Sequence, residues 1–149
     1  SALGGVTDKL IELASLAGQK DNQGKNLMEA IVAQHKKVIQ ELIVAKNQKN
    51  ALAEMKKKFH ELGELLKGIS LLKELSSRSL DSVMSFGEQL SSLIISQAIK
   101  SQGVACDFVD ARQLIKTDNN FGTANVDIPK TYERLADYFK NNRNKRYSS

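Results

Sequence analysis

Apolar residues recur along most of this chain at three- and four-residue intervals, the spacing of helices that each bury one face. Leu10, Ile11, Ala14 and Ala17 mark the first such stretch, with Thr7 or Asp8 placed to cap it. The polar, glycine-bearing run GQKDNQGKN (residues 18–26) interrupts the pattern and reads as a loop. The period resumes through Met28, Ile31, Val32, His35, Val38, Ile39, Leu42 and Ile43, and again through Leu52, Met55, Phe59, Leu62, Leu65, Leu66 and Ile69. Two long amphipathic helices with a short join predict an antiparallel helical hairpin over residues 27–70.

A further helix is predicted over residues 79–102, with Leu80, Val83, Met84, Gly87, Leu90, Ile94 and Ala98 on its apolar face, Ser91 packed among them and Gly103 ending it. VACDFVDA then alternates and carries valine and phenylalanine, so residues 104–109 read as a strand. A short helix follows over residues 111–115. Residues 117–129 form a loop with a short strand at 124–126, and Pro129 opens a last helix running to about residue 141. The order of helix, strand and helix predicts an α/β class, predominantly helical, with an inserted hairpin and a small number of strands. The opening SALGGVTD reads as the end of a strand running into a helix, whose strand lies ahead of the given residues. Residues 142–149 read as a basic tail.

Composition narrows this little. The 149 residues suit one domain or one large piece of a domain, and the apolar (41%) and charged (26%) fractions are those of a soluble globular chain. One proline, no tryptophan and 5% aromatics disfavour an all-β sandwich. The net charge of +5 permits an anionic partner without requiring one. Lys140, Arg143, Lys145 and Arg146 have no nucleic-acid reading motif around them, so no nucleic acid is expected. A single Cys106 excludes an internal disulfide, no apolar run nears the roughly 18 residues a membrane span needs, and no signal-peptide pattern is read. The expected compartment is the cytoplasm.

Two stretches are candidates for chemistry. In SALGGVTD, Gly4 and Gly5 let backbone approach a ligand, and the following helix N-terminus with the Thr7 hydroxyl suits a carboxylate or phosphate; the alternative is a tight turn with a threonine cap. In SFGE, Gly87 and Glu88 interrupt an apolar stripe. Glu88 faces water while Gly87 allows close helix contact, or it pairs internally, or it holds a ligand's ammonium. His35 on an apolar face reads as a packed core residue, His60 and Lys56, Lys57 and Lys58 as solvated, and Cys106 as buried and inert in its strand. No residues fall at metal-ligand spacing.

Four stretches together resemble the aspartate kinase family of amino-acid kinases: SALGGVTDKL, LLKGISLL, DSVMSFGEQLSSLIISQAIKSQGV and DFVDARQLIKTDNNFGTANVD. LLKGISLL is closer to the bifunctional aspartate kinase–homoserine dehydrogenase branch. The resemblance covers nearly the whole chain and is most specific around SFGE and TDNNFG. It implies a predominantly helical piece of the carbamate kinase-like fold, from the substrate side of the amino-terminal lobe. It implies transfer of the ATP γ-phosphate to the side-chain carboxylate of L-aspartate, with Ser1, Ala2 and Thr7 lining the aspartate site, Glu88 pairing with the substrate ammonium and Met84 packing on the substrate. ATP and Mg belong to the complete parent, which the resemblance implies is a homo-oligomer. The family's lysine-phenylalanine-glycine-glycine-threonine strand and its nucleotide-binding stretches have no counterpart here. The expectation is a fragment with no catalytic, cofactor or metal residues of its own, weak or absent aspartate binding, and no kinase activity. The alternative is a free-standing helical interaction module.

Overall fold

The computed structural model describes residues 1–19 and 23–142. The middle of the 18–26 loop and the basic tail with Arg143, Lys145 and Arg146 lie outside the described residues. The chain divides between Cys106 and Asp107 into two compact units. The first holds α1 (Val6–Gln19), α2 (Gln23–Leu42), α3 (Ala45–Leu72) and α4 (Ser77–Ser101); the second holds α5 (Ala111–Leu114) and α6 (Ile128–Asn142).

In the first unit the apolar periods point inward. Val6, Leu10, Leu13 and Ala14 of α1, Ile31 and Ile39 of α2, Met55, Phe59, Leu62, Leu66 and Ile69 of α3, and Val83, Phe86, Leu90 and Ile94 of α4 make one core. Each fully buried leucine or isoleucine contributes about 1.5–3 kcal/mol. α2 passes into α3 after only Ile43 and Val44, and α4 packs against α1, α2 and α3. α4 begins two residues earlier than its apolar pattern shows, because the Ser76 hydroxyl accepts from the Ser79 N–H at 3.2 Å and caps it. α3 has no such cap; it stops where Lys73 turns left-handed (φ 53°).

His35 is fully buried. Its Nδ1–H donates to the Ile31 carbonyl (2.8 Å), its ring meets Phe59 edge-on at 5.5 Å, and its Nε2 has no partner. The ring therefore serves as an aromatic rivet between α2 and α3.

The second unit is built by a loop that returns on itself. Thr117 and Val126 form an antiparallel bridge, and the Asp127 N–H donates to the Lys116 carbonyl (2.8 Å). Asp127 Oδ1 then accepts from the Lys130 N–H (3.1 Å), capping α6, and the buried Thr131 Oγ1 accepts from the Lys116 N–H (3.0 Å). Burial there is slight, and Ile128, Tyr132 and Phe139 leave an apolar face of α6 exposed.

Three expectations are corrected. Residues 104–109 take no regular structure; an alternating sequence makes a strand only where a neighbour pairs its backbone, and none of the described residues forms a strand. The strand at 124–126 is reduced to the single bridge at Val126. With no strand to bury it, Cys106 is half-exposed.

His35 makes stability depend on pH. Desolvation is the largest effect and lowers its pKa from 6.5; the Ile31 carbonyl raises it and the Lys9 charge lowers it further. The unfolded chain therefore binds a proton below about pH 6.5 that the folded chain refuses. Stability is fully present above that pH and falls as the pH drops below it. Thermal unfolding from pH 7.5 to 5.5 should show a falling Tm that His35→Leu flattens. Asp118 and Asp127, lowered from 3.8, act only at lower pH. An equal slope in the variant would show that His35 is not the group responsible.

Candidate functional site

The opening segment, residues 1–5, is not regular structure, yet side chains from two helices hold it. The Val6 N–H donates to the Leu3 carbonyl (3.0 Å) and Gly5 takes φ 72°, a conformation that favours glycine, so the chain turns sharply into α1. Gln34 of α2 donates its Nε2 to the Gly4 carbonyl (3.0 Å), and Lys9 Nζ donates to Gln34 Oε1 (2.8 Å), fixing which way that amide points. Ser91 of α4 donates its hydroxyl to the Ser1 carbonyl (2.7 Å), with the Glu88 carbonyl 3.1 Å from the same oxygen. Ala2 sits over Gly87: a Cβ built there would lie 2.8 Å from the Ala2 methyl carbon and 3.4 Å from Leu10 Cδ1.

These contacts place the sequence-predicted residues. Ser1, exposed, and Ala2, half-buried, lie on α4 next to Glu88, which is itself exposed. Met84, half-buried, is one turn before Glu88 on the same helix. Thr7 is half-buried at the second position of α1. It is not the cap, and neither is Asp8: α1 starts at Val6, because the glycine turn lets the helix begin earlier than a threonine cap requires. The space at Gly87 is taken by Ala2, Val6 and Leu10, so the glycine makes room for protein rather than for a ligand.

Around Glu88 the helix is buried on nearly every side. From Phe86 to Ile94 only Glu88 and Ser92 are exposed. Gln89 is buried, donating to the Ser85 hydroxyl (3.0 Å), and its Oε1 has no partner. Elsewhere charges pair locally and in water: Lys57 with Glu54 (2.7 Å) and Lys58 with Glu61 (2.6 Å), as solvated helix faces do. Among the described residues no three of His, Cys, Asp and Glu come together to hold a metal.

No protein-family profile matches the chain. Curated relatives do. An aspartokinase of Candida albicans is 27% identical over 117 residues, 78% of this chain and 21% of the relative. The chloroplastic bifunctional aspartokinase/homoserine dehydrogenase 2 of Arabidopsis thaliana is 24% identical over 146 residues, 97% of this chain and 16% of the relative. Crystallised E. coli aspartokinase III has the same fold over 97% of this chain and 31% of its own: TM-score 0.83 at 23% identity in its complex with lysine and aspartate, 0.82 at 22% in its complex with aspartate and ADP. The chain resembles a segment of aspartokinase. It spans 16–21% of the length of these curated relatives.

The aspartokinase-like stretch DFVDARQLIKTDNNFG is organised by short-range bonds in the second unit. Asp110 caps α5 by accepting from the Arg112 N–H (3.0 Å) and pairs with Arg112 Nη2 (2.6 Å). Asp118 gathers the loop. Its carboxylate accepts from the side chain and backbone N–H of both Asn125 and Asn120, and these bonds, led by the Asn125 side chain, lower its pKa from 3.8. Sequence reading missed Gln34 and Ser91. Their partners lie 30 and 90 residues away, beyond any local pattern; the one available signal was a serine on the apolar face of α4.

The glycine contact predicts opposite outcomes at two helical glycines. Gly63 has nothing within 4 Å, so Gly63→Ala should stabilise the chain by roughly 0.5–1 kcal/mol through helix propensity. Gly87→Ala should destabilise it by about 1–2 kcal/mol, because overpacking exceeds that gain. Urea unfolding of both variants decides it; a Gly87→Ala gain equal to that of Gly63→Ala would mean that Ala2 does not occupy the space.

Proposed function

We propose that this chain is the aspartate-binding part of the amino-terminal lobe of an aspartate kinase, the enzyme that transfers the ATP γ-phosphate to the side-chain carboxylate of L-aspartate. The observation that carries this reading is the exposure of Glu88. A helix buried on nearly every side leaves a carboxylate uncovered beside the pinned Ser1–Ala2 segment and the start of α1. An amino acid needs both kinds of partner. Its ammonium takes Glu88, and a carboxylate takes the positive end of α1, with the Thr7 hydroxyl as a further donor. Met84, one turn from Glu88, packs on the substrate's carbon chain. Both crystallised aspartokinase III complexes contain aspartate, and one contains ADP.

The nucleotide and its magnesium belong, in this reading, to the remainder of the parent chain, whose partners include its other copies in a homo-oligomer. Phosphoryl transfer depends on cations positioned around the γ-phosphate, and the family's nucleotide-binding stretches have no counterpart in these residues. The 149-residue chain alone should therefore show no aspartate-dependent ATP turnover. The cytoplasm remains the proposed compartment, although the plant relative is chloroplastic by name.

The test is Glu88→Ala in the complete kinase carrying this segment. Losing a charge-assisted bond of about 1.5–3 kcal/mol should raise the KM for aspartate roughly ten- to hundredfold and leave the KM for ATP unchanged. An unchanged KM for aspartate, or turnover by the chain alone, would refute the respective part of the proposal.

A further inference from the structure

Serines inside a helix usually return their hydroxyl to a carbonyl three or four residues back. Four other serines of α4 do this with short contacts: Ser82 to Arg78 (2.8 Å), Ser85 to Ser82 (2.7 Å), Ser96 to Leu93 (2.8 Å) and Ser101 to Ala98 (2.7 Å). Ser91 departs from them. Its contact to its own helix, at the Glu88 carbonyl, is stretched to 3.1 Å, and its short contact, 2.7 Å, leaves the helix for the Ser1 carbonyl. The side chain is 2% exposed, so water does not compete for the hydroxyl.

One hydroxyl thus lies between the backbones of Ser1, in the segment that leads into α1, and Glu88, both in the aspartate site as read above. One turn earlier, Gly87 seats the Ala2 methyl. We propose that Ser91 is a positioning residue: with Gly87 it clasps the opening segment to α4 and sets the separation between that segment and the Glu88 carboxylate. This rests on the aspartate-binding reading. Ser91 touches no substrate. It fixes the distance that a substrate must span, so its loss should weaken aspartate binding without altering the nucleotide side or the chemical step.

The experiment compares three variants in the complete kinase. Ser91→Ala should raise the KM for aspartate about three- to tenfold, the worth of one neutral hydrogen bond, with kcat and the KM for ATP within about twofold. Ser96→Ala removes an equally buried serine bond on the same helix that does not reach the opening segment, and should leave all three constants unchanged. Equal effects of the two would reduce Ser91 to core packing and overturn the proposal. Glu88→Ala separates the layers. If it raises the KM for aspartate and Ser91→Ala does not, the clasp is wrong and the site stands; if Glu88→Ala has no effect, the aspartate reading falls and the positioning role with it. Should Ser91→Ala fail to fold in the kinase, the 149-residue chain gives a second readout by amide hydrogen exchange. The Val6 N–H, bonded to Leu3 inside the clasped turn, should exchange about three- to tenfold faster in Ser91→Ala and not in Ser96→Ala. Unchanged exchange there would overturn the proposal.

Discussion

Helix α4 can lie against the opening segment only because residue 87 has no side chain. A methyl at that point would stand 2.8 Å from Ala2 Cβ, closer than carbon atoms approach without displacement. Everything at this end of the first unit follows from that approach. It lets Ser91, one turn on, reach the Ser1 carbonyl and brings Val6 and Leu10 of α1 under the same helix, while the neighbouring Glu88 stays exposed. A glycine within a helix forgoes roughly 1 kcal/mol of propensity. Here the loss is offset by apolar burial and by a hydrogen bond between residues 90 positions apart.

The same segment is held from the other side by a different kind of contact. Gln34 joins the Gly4 carbonyl to Lys9, so a polar chain runs from the turn to α2 and back to α1. Below it His35 carries the packing inward to Phe59. A neutral ring with one bonded nitrogen and one idle one suits an apolar core better than a charge does, which is why its environment disfavours protonation. Polar groups at this end thus serve the backbone first, and the exposed carboxylate of Glu88 stands out because the packing around it is otherwise closed.

The helices were legible from the sequence because their signal is local. Leu10, Ile31, Leu62 and Leu90 repeat with the period that buries them, and each is fully buried. The strand at 104–109 was not, because alternation describes what a strand looks like and not whether it has a neighbour; pairing is a property of two segments. Thr7 was read as the cap and is the second residue of α1, since a glycine at positive φ starts the helix instead of a threonine cap. Within the candidate site, Gly87 and Glu88 were conspicuous as exceptions to an apolar stripe. Ser91 was hidden because a serine that bonds its own helix and one that bonds a residue 90 positions away look alike in sequence.

The contrast between Glu88 and the acidic residues of the second unit bears on which motif residues do chemistry. Asp110, Asp118 and Asp127 all sit in one of the stretches that resemble aspartokinases, and each has its oxygens engaged by nearby donors: Arg112, the two asparagines, and Lys130 with its backbone N–H. A carboxylate so occupied shapes a loop or starts a helix. Glu88 has the opposite surroundings, with a rigid backbone, buried neighbours on both sides and its side chain turned to solvent. Similarity of sequence marks both kinds of residue alike. Separating them takes the hydrogen-bond partners: these assign architecture to the three aspartates, and they leave Glu88 as the residue to which the proposed recognition falls.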